Sequence, residues 1–195
     1  MVDTVIHLVR HGAVHNPELV RYGRLPGFHL SERGRTQTEA AARWLRGRDR
    51  TIDAIVSSPL DRAVETAQII AALAGGTVEI DERLIEASSQ FDGLHKTAFL
   101  SPQHWARLRN PLRPSWGEPY AQVAMRMRVA IELARAAHPG GVVVIVSHQS
   151  PIWIARRAYE SAGPPWLVPM RCAPGSITTL HFARTRFAGE TYWHP

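Results

Sequence analysis

The stretch Val5-Ile6-His7-Leu8-Val9-Arg10-His11-Gly12 decides the fold, because it is a short apolar run that ends abruptly in two basic side chains and a glycine. Its β-branched residues favour a buried strand, and Gly12 permits a tight turn directly after it. The stretch has neither a basic leader nor a long apolar run. We therefore interpret it as a first strand and not as a signal peptide.

Four more apolar runs follow, and segments with helical periodicity lie between them. The predicted strands are Val5–Val9, Ala54–Val56, Thr77–Ile80, Val142–Val146 and Ile177–Phe182. The predicted helices are Glu32–Arg46, Asp61–Leu73, a weaker one near Thr97–Leu108, Glu118–Ala137 and Pro151–Ser161. This alternation predicts an α/β fold, a three-layer sandwich with a mostly parallel central sheet and helices on both faces. The residues after Phe187 are expected to pack loosely.

The segment from Ile85 to Pro119 departs from the alternation and is rich in serine, proline, histidine and tryptophan. We expect residues 1–195 to form one domain, with this segment (85–119) as an irregular insertion over the edge of the sheet. Loops of this kind often roof a functional site.

Composition narrows the class of protein. The chain has 195 residues, 45% of them hydrophobic, which suffices for one substantial core without disulfides or a structural metal. The single cysteine, Cys172, excludes an intramolecular disulfide and a cysteine cluster that would bind zinc or an iron–sulfur centre. We therefore expect the protein in the reducing cytoplasm. No apolar run approaches the roughly 20 residues that span a bilayer, so we expect no membrane association.

The charge of the chain suits an anionic partner. The net charge is +6, and all 23 basic residues except Lys96 are arginines. Arginine binds phosphate or carboxylate bidentately, and a positive field steers anions toward clefts. A small anionic substrate and a polyanion both fit, and charge does not choose between them.

Three predicted strand ends carry groups that bind anions. In an open parallel sheet, ligands bind outside the carboxyl ends of the strands. The segments at those ends are Arg10-His11-Gly12, Ser57–Arg62 and Ser147-His148-Gln149. In the second segment, Pro59 and Asp61 can start a helix whose free amides and positive dipole end favour an anion. The sequence therefore predicts one crevice that two histidines and two arginines face.

A metal site is the alternative for the first histidines. His7, His11 and His15 recur every four residues, which on a helix would present a stripe of metal ligands. The β-branched run and Gly12 argue against a helix there, and no carboxylates cluster nearby. His7 is instead expected in the core or on a sheet face, and we predict no metal and no other cofactor.

Four motifs, in order along nearly the whole chain, complete the pattern: Leu8–Gly12, Leu30–Gln37, Ser57–Ala67 and Val146–His148. Together they resemble the histidine phosphatase superfamily, also called the phosphoglycerate mutase-like family. Some positions depart from that family: Ala13 stands where many members carry Glu or Gln, and Gln149-Ser150 stands where many have two glycines. A turn at Gly117-Glu118-Pro119 resembles the Gly-Glu-Ser turn of the family, with Pro119 in place of serine.

The resemblance implies a role for five residues. It makes His11 the nucleophile and Glu86 the acid that protonates the leaving group, while Arg10, Arg62 and His148 hold the phosphoryl oxygens. The expected substrate contacts are Asn16, Ser57, Tyr22, Arg24 and Gln149, with His15 on the same rim. The chemistry agrees independently, since a neutral imidazole can attack phosphorus in line while fixed positive donors stabilise the equatorial oxygens without a metal.

We therefore predict a phosphomonoester hydrolase that acts on a small phosphorylated metabolite through a phosphohistidine. Mutases of the resembling family are usually longer, and residues 85–119 show no evident match to their arginine- and tyrosine-bearing segment. A phosphoglycerate mutase-type phosphotransferase and a pseudoenzyme that only binds a phosphorylated ligand are the alternatives. A homodimer is compatible with each of them.

A different class of function, polyanion or nucleic-acid binding, is suggested by the segment Arg43-Trp44-Leu45-Arg46-Gly47-Arg48-Asp49-Arg50 and a pI of 10.4. The same segment is explained as the end of a helix, where the dipole favours cations. No aromatic and basic signature of an RNA-binding module is present, so we do not expect nucleic acid as a partner.

Overall fold

A computed structural model describes residues 3–48, 50–108, 116–160, 170–184 and 186–195. Its central sheet has six strands: β1 (Thr4–Arg10), β2 (Ala54–Ser57), β3 (Val78–Ile80), β4 (Val142–Ser147), β5 (Ile177–Ala183) and β6 (Arg186–Trp193). The strand order is β3-β2-β4-β1-β5-β6. Strands β1 to β4 are parallel to one another, whereas β5 and β6 add an antiparallel pair at one edge.

In the part of the chain that the structure describes, four helices cover the two faces of this sheet: α1 (Glu32–Arg46), α2 (Asp61–Ala74), α3 (Tyr120–Ala137) and α4 (Gln149–Glu160). Successive strand side chains point to opposite faces, so Leu8 packs toward α3 and α4 while Val9 packs toward α1 and α2. Strand β4 is buried along its whole length, as expected for a central strand covered on both sides. The predicted three-layer α/β sandwich is confirmed.

Strand β6 was not predicted, and the expectation that the chain packs loosely after Phe187 is wrong. Residues Arg186–Trp193 pair with β5 along its length. An edge strand has another strand on one side only, so it needs no continuous apolar run. The charged residues of β6 and Gly189 interrupt the apolar pattern by which a strand is recognised in a sequence.

The prediction of a weak α-helix near Thr97–Leu108 is also wrong. Two 3₁₀ helices, Ala98–Leu100 and Pro102–Leu108, occupy the segment instead. Residues 109–115 of the predicted insertion lie outside the described residues. No helix in the described ranges is long and apolar enough to cross a bilayer.

The register of the parallel strands brings the predicted functional segments to one edge of the sheet. Arg10 at the end of β1 lies opposite Ser147 at the end of β4. Beyond the strand ends, the backbone N–H of His11 donates to the carbonyl oxygen of Ser147 at 3.1 Å. The turns that carry His11 and His148 therefore start side by side.

Candidate active site

A cavity of about 600 Å³ opens at the carboxyl ends of β1 and β4. Its wall combines strand-end residues, the first turn of α4 and loops from elsewhere in the chain. Among the lining residues are Arg10, His11, Tyr22, Glu86, Asp92, Gln149, Ser150 and Trp153. Its size suits a small molecule, because ligand pockets run from roughly 300 to 1,000 Å³.

His11 is oriented by its own neighbour. Its Nδ1 lies 2.7 Å from the carbonyl oxygen of Gly12. A carbonyl oxygen can only accept, so Nδ1 carries the proton and Nε2 of the neutral ring keeps its lone pair. Burial, and then the charges of Arg62 and Arg10, lower the pKa of His11 well below its ordinary value. The ring is therefore neutral at pH 7, as a nucleophile requires.

Arg10 and Arg62 are each anchored by a short hydrogen bond. Arg10 donates from Nη1 to the carbonyl oxygen of Cys172 at 2.5 Å, and Arg62 donates from Nη2 to that of Gly23 at 2.5 Å. The buried Nε of each guanidinium has no hydrogen-bond partner among the described residues. An unpaired buried N–H group is costly, and phosphoryl oxygens are the acceptors that arginine binds most strongly.

His148 lies beside His11, with 5.1 Å between the ring centroids. Its Nε2 is 2.7 Å from the hydroxyl of Ser58, while its buried Nδ1 has no partner within the described ranges. When the hydroxyl donates to Nε2, the proton of the neutral ring is on Nδ1. Burial, and then the charge of His11, lower the pKa of His148 well below its ordinary value. In that tautomer, His148 offers one more N–H donor next to His11.

Glu86 lines the same cavity as His11. Its Oε1 accepts from the backbone N–H of Ala87 at 2.8 Å. Burial raises the pKa of Glu86, and the bonds from Ala87 and Ser150 together with the charges of Arg62 and Arg10 offset the rise only in part. A carboxyl group with a raised pKa can hold a proton for transfer.

The start of α1 holds the catalytic loop in place. The backbone N–H of Ala13 donates to Gln37 Oε1 at 3.0 Å, and the carbonyl oxygen of Ala13 accepts from the hydroxyl of Ser31 at 3.0 Å. The same hydroxyl caps α1 by accepting from Gly34 N. A Cβ atom on Gly34 would lie 2.0 Å from the carbonyl oxygen of Ala13. The motif Leu30–Gln37 therefore works through close backbone contact with the loop that carries His11.

Arg24 does not line the cavity and instead binds the loop of the candidate acid. Its Nε donates to the carbonyl oxygen of Glu86 at 2.7 Å, and its Nη2 donates to Glu118 Oε2 at 2.8 Å. Glu118 also accepts from Arg126 Nε at 2.9 Å, and Arg126 Nη1 donates to the carbonyl oxygen of Arg83 at 2.5 Å. We call Arg24, Glu118 and Arg126 the Glu118 cluster. It ties the segment before Glu86 to α3.

The other predicted substrate contacts divide into two groups. Tyr22 and Gln149 line the cavity, and the ring of Tyr22 meets that of His11 edge-on at 6.3 Å between centroids. Asn16 bonds through both side-chain atoms to the backbone of Val20, so it closes a local loop. Ser57 is fully buried, and its hydroxyl donates to the carbonyl oxygen of Ser58.

Two supporting residues were not predicted from the sequence. Ser58 orients His148, and Glu118 organises the cluster around Arg24. Ser58 lies in the segment Ser57–Arg62 and Glu118 in the turn Gly117-Glu118-Pro119, but neither motif indicates what these side chains bind.

The histidines that suggested a metal site are separated by the fold. His7 lies on β1 and is buried, with its Nδ1 2.8 Å from the hydroxyl of Thr179, which confirms its predicted place on a sheet face. His15 is exposed beyond the strand. In the ranges that the structure describes, no three His, Cys, Asp or Glu side chains gather into a possible metal ligand set.

Sequence comparison identifies relatives of both catalytic types. The family described as histidine phosphatase superfamily (branch 1) matches residues 6–193. An uncharacterized protein of Mycobacterium tuberculosis is 45% identical over 199 residues, which cover 99% of this chain and 97% of that protein. Phosphoserine phosphatase 1 of Hydrogenobacter thermophilus is 31% identical, with 74% and 71% of the two chains covered. A 2,3-bisphosphoglycerate-dependent phosphoglycerate mutase of Thermoplasma acidophilum is 32% identical, with 89% and 84% covered.

Solved structures agree with the sequence comparison. A protein called mycobacterial hydrolase 2 superposes with a TM-score of 0.82 at 28% identity, covering 100% of this chain and 91% of that one. A mycobacterial glucosyl-3-phosphoglycerate phosphatase superposes with a TM-score of 0.77 at 30% identity, covering 98% and 99%.

Proposed function

This chain belongs to the histidine phosphatase superfamily, and we propose that it hydrolyses phosphomonoesters of small metabolites through a phosphohistidine on His11, without a metal. The orientation of His11 is the observation that carries the proposal. Its Nδ1 is bound to the carbonyl oxygen of Gly12, so the lone pair on Nε2 is free to attack. The charges of Arg62 and Arg10 act on His11, and the ring of His148 lies 5.1 Å away. Within the described ranges, Arg10 Nε, Arg62 Nε and His148 Nδ1 are buried without a hydrogen-bond partner and are therefore open to phosphoryl oxygens.

In the first step, His11 Nε2 attacks phosphorus and the bond from phosphorus to the ester oxygen breaks. Arg10, Arg62 and His148 donate to the three phosphoryl oxygens, where charge accumulates in the transition state. An alcohol is a poor leaving group, so the proton of the Glu86 carboxyl goes to the departing oxygen.

In the second step, water attacks the phosphohistidine and the bond from phosphorus to Nε2 breaks. The Glu86 carboxylate takes the proton of the attacking water, which restores the acid for the next cycle. The products are an alcohol and inorganic phosphate, and His11 returns to its neutral form.

Hydrolysis is favoured over transfer to a second substrate by two observations. Residues 85–119 carry no evident match to the arginine- and tyrosine-bearing segment of the mutases. The similarity to the glucosyl-3-phosphoglycerate phosphatase covers nearly all of both chains. Because a mutase is also among the relatives, the competing activity is interconversion of 2- and 3-phosphoglycerate.

The nucleophile is tested with an aryl phosphate as substrate. We expect turnover to survive a strong chelator and the acid-labile phosphoenzyme to be trapped by rapid quenching. Substitution His11→Ala should abolish both, whereas His138→Ala, at a histidine that follows α3 and does not line this cavity, should leave both unchanged. A phosphoenzyme that persists in His11→Ala would show that another residue is the nucleophile, and loss of turnover with EDTA would restore the metal hypothesis.

The acceptor is tested by comparing two rates on the purified protein. We expect hydrolysis of at least one phosphorylated metabolite, in a screen at mildly acidic and neutral pH, to exceed mutase activity on 3-phosphoglycerate. A mutase rate that far exceeds every hydrolysis rate would replace the phosphatase with the mutase while leaving the role of His11 intact.

A further inference from the structure

A second cavity, of about 440 Å³, lies on the α1 side of the sheet. Val5 and Val142 line it near the amino ends of β1 and β4, whereas the catalytic cavity opens at the carboxyl ends. No described residue lines both cavities. The second cavity is therefore a separate place on the molecule, and its volume is within the range of small-ligand pockets.

One wall of the second cavity is a stack of flat groups. The rings of Trp44 and Trp193 are stacked at 5.5 Å between centroids with 27° between their planes. The guanidinium carbon of Arg48 lies 3.8 Å from the centroid of a Trp44 ring, and His7 meets Trp44 edge-on at 5.8 Å. Both tryptophans are only partly buried. The wall thus offers aromatic surface to a ligand, and a planar aromatic ring packs favourably against such surface.

All the ionisable groups in the wall are basic apart from one tyrosine. His7, Arg48, Arg50 and His181 line the cavity, and no aspartate or glutamate does so among the residues that the structure describes. Burial, and then the charges of Arg48, His181 and Arg50, lower the pKa of His7 to about 4. The floor of the cavity therefore lies in a positive field, which attracts anions.

The two arginines have different tasks. Arg50 donates from Nη1 to the carbonyl oxygen of Asp3 at 2.8 Å and from Nη2 to that of Gly140, so it fastens its loop to the sheet. Arg48 is exposed and lines the cavity, and its guanidinium carbon lies 3.8 Å from the centroid of a Trp44 ring. The anionic group of a ligand in the cavity would receive charge-assisted hydrogen bonds from Arg48. The ring of the same ligand would pack against the tryptophans.

We propose that this second cavity binds a small planar aromatic anion, a ring system that bears a carboxylate, sulfonate or phosphate, at a site independent of the catalytic cavity. The proposal also accounts for the basic segment Arg43–Arg50. Arg43 pairs with Glu39 on the surface of α1, while Trp44, Arg48 and Arg50 line the cavity. The segment thus serves a defined pocket and not an extended polyanion surface.

The test is calorimetric titration of the full chain with 1-naphthoate, 1-naphthalenemethanol and cyclohexanecarboxylate. We expect saturable binding of 1-naphthoate and at least about tenfold weaker binding of the other two, because one lacks the charge and the other lacks the flat ring. Orthovanadate, at a concentration that stops any phosphatase activity, should not compete with 1-naphthoate. The variant His11→Ala should bind 1-naphthoate as tightly as the wild type. These arms separate the second cavity from the catalytic one, so they hold whether or not the proposed hydrolase activity is found.

Matched variants locate the binding. Arg48→Gln should weaken the binding of 1-naphthoate about tenfold, whereas Arg46→Gln should not, since Arg46 carries the same charge two residues earlier at the end of α1, is exposed and does not line the cavity. Trp44→Leu is a second variant, with melting temperature as a check on folding. The proposal is overturned by an absence of saturable binding at millimolar ligand, by equal losses in both arginine variants, or by displacement with vanadate. Tighter binding of a random-sequence oligonucleotide, weakened equally by both variants, would favour the polyanion function instead.

Discussion

The pKa of Glu86 is set by influences that act in opposite directions. Burial raises its pKa, while the charges of Arg62 and Arg10 favour the carboxylate, and the net effect is a raised pKa. In the proposed mechanism both arginines hold phosphoryl oxygens, so Glu86 would act as an acid beside two cations that oppose its protonation. Desolvation is what raises the pKa of Glu86 in spite of these two charges.

The first prediction concerns Glu86→Gln, which keeps the shape of the side chain but has no proton to give. Hydrolysis of an alkyl phosphate should fall by about 10²-fold or more, because an alkoxide must be protonated as it leaves. Hydrolysis of 4-nitrophenyl phosphate should fall far less, since nitrophenolate leaves without a proton. Steady-state rates on the two esters measure this. Equal losses on both would mean that Glu86 only shapes the cavity.

The second prediction is the pH dependence of kcat/KM for an alkyl phosphate. His11 must be neutral, and its pKa is lowered from 6.5, so the rate should rise with pH through a limb that lies below 6.5. Glu86 must be protonated, and its pKa is raised from 4.5, so the rate should fall with pH through a limb that lies above 4.5. Glu86→Gln should remove the falling limb only. A falling limb that persists in this variant would assign it to another group.

The sequence predicted the convergence of His11, Arg10 and His148 because these residues directly follow strands, and strand ends follow from local patterns. It did not predict what Arg24 binds. Arg24 sits in a loop whose path depends on contacts with Glu86 and Glu118, which are distant in sequence. Short motifs locate the residues that touch the strand ends, but they do not locate partners that only the folded loops bring together.

Among the helices, α1 does more than cover the sheet, because its first turn fixes the loop after β1. The third prediction tests this with Gly34→Ala, whose added Cβ would lie 2.0 Å from the carbonyl oxygen of Ala13. We expect a loss of about 1–3 kcal/mol in the free energy of unfolding and a fall in kcat larger than the change in KM, since the displaced loop carries His11. Urea denaturation and steady-state assays provide both values.

Gly47→Ala is the matched control at the other end of α1. There the nearest atom to an added Cβ is the carbonyl oxygen of Arg43 at 3.4 Å, and the φ of −72° suits alanine. This variant should change neither the stability nor the rate appreciably. If Gly34→Ala kept full activity, the contact between α1 and the catalytic loop would be dispensable.

The fourth prediction concerns the Glu118 cluster, which joins α3 to the segment that ends in Glu86. In Glu118→Gln the charge-assisted bonds to Arg24 and Arg126 weaken, so kcat on an alkyl phosphate should fall about tenfold. The falling limb of the pH profile should also move to lower pH, because a negative charge is lost and Glu86 becomes more solvated. Glu39→Gln, at an exposed ion pair on α1, is the control. A loss of stability without a shift of that limb would mean that the cluster is structural only.

The elements that the sequence predicted well are those whose burial is uniform. Strand β4 is apolar along its length, and α1 has a serine that caps its first turn and a glycine after its last, so both are recognisable in isolation. Strand β6 is stabilised by its pairing with β5, a contact that becomes visible only when the sheet is assembled. The 3₁₀ helices in residues 98–108 likewise lack a periodic apolar face of their own.

For the molecule as a whole, the buried histidines make folding sensitive to acid. The pKa values of His7, His11 and His148 are all lowered by burial, so the folded state keeps these rings neutral. The unfolded chain binds more protons below pH 6.5, and the free energy of unfolding must therefore fall as the pH decreases through that range. Glu86 acts in the opposite direction, because its raised pKa lets the folded state keep a proton that the unfolded chain loses.

The last prediction isolates the contribution of His7, which lies outside the catalytic cavity. The pKa of His7 is about 4 in the folded state and 6.5 in the unfolded chain. Protonation of His7 between pH 7 and pH 4.5 should therefore lower the free energy of unfolding by about 2–3 kcal/mol. The asparagine of His7→Asn can still bond to Thr179 but does not titrate. The fall in the free energy of unfolding between pH 7 and pH 4.5 should therefore be smaller in this variant than in the wild type, by about 2–3 kcal/mol. Urea denaturation at the two pH values measures the difference, with His15→Asn as the exposed control. Equal losses in the wild type and in His7→Asn would mean that protonation of His7 is not what destabilises the fold in acid.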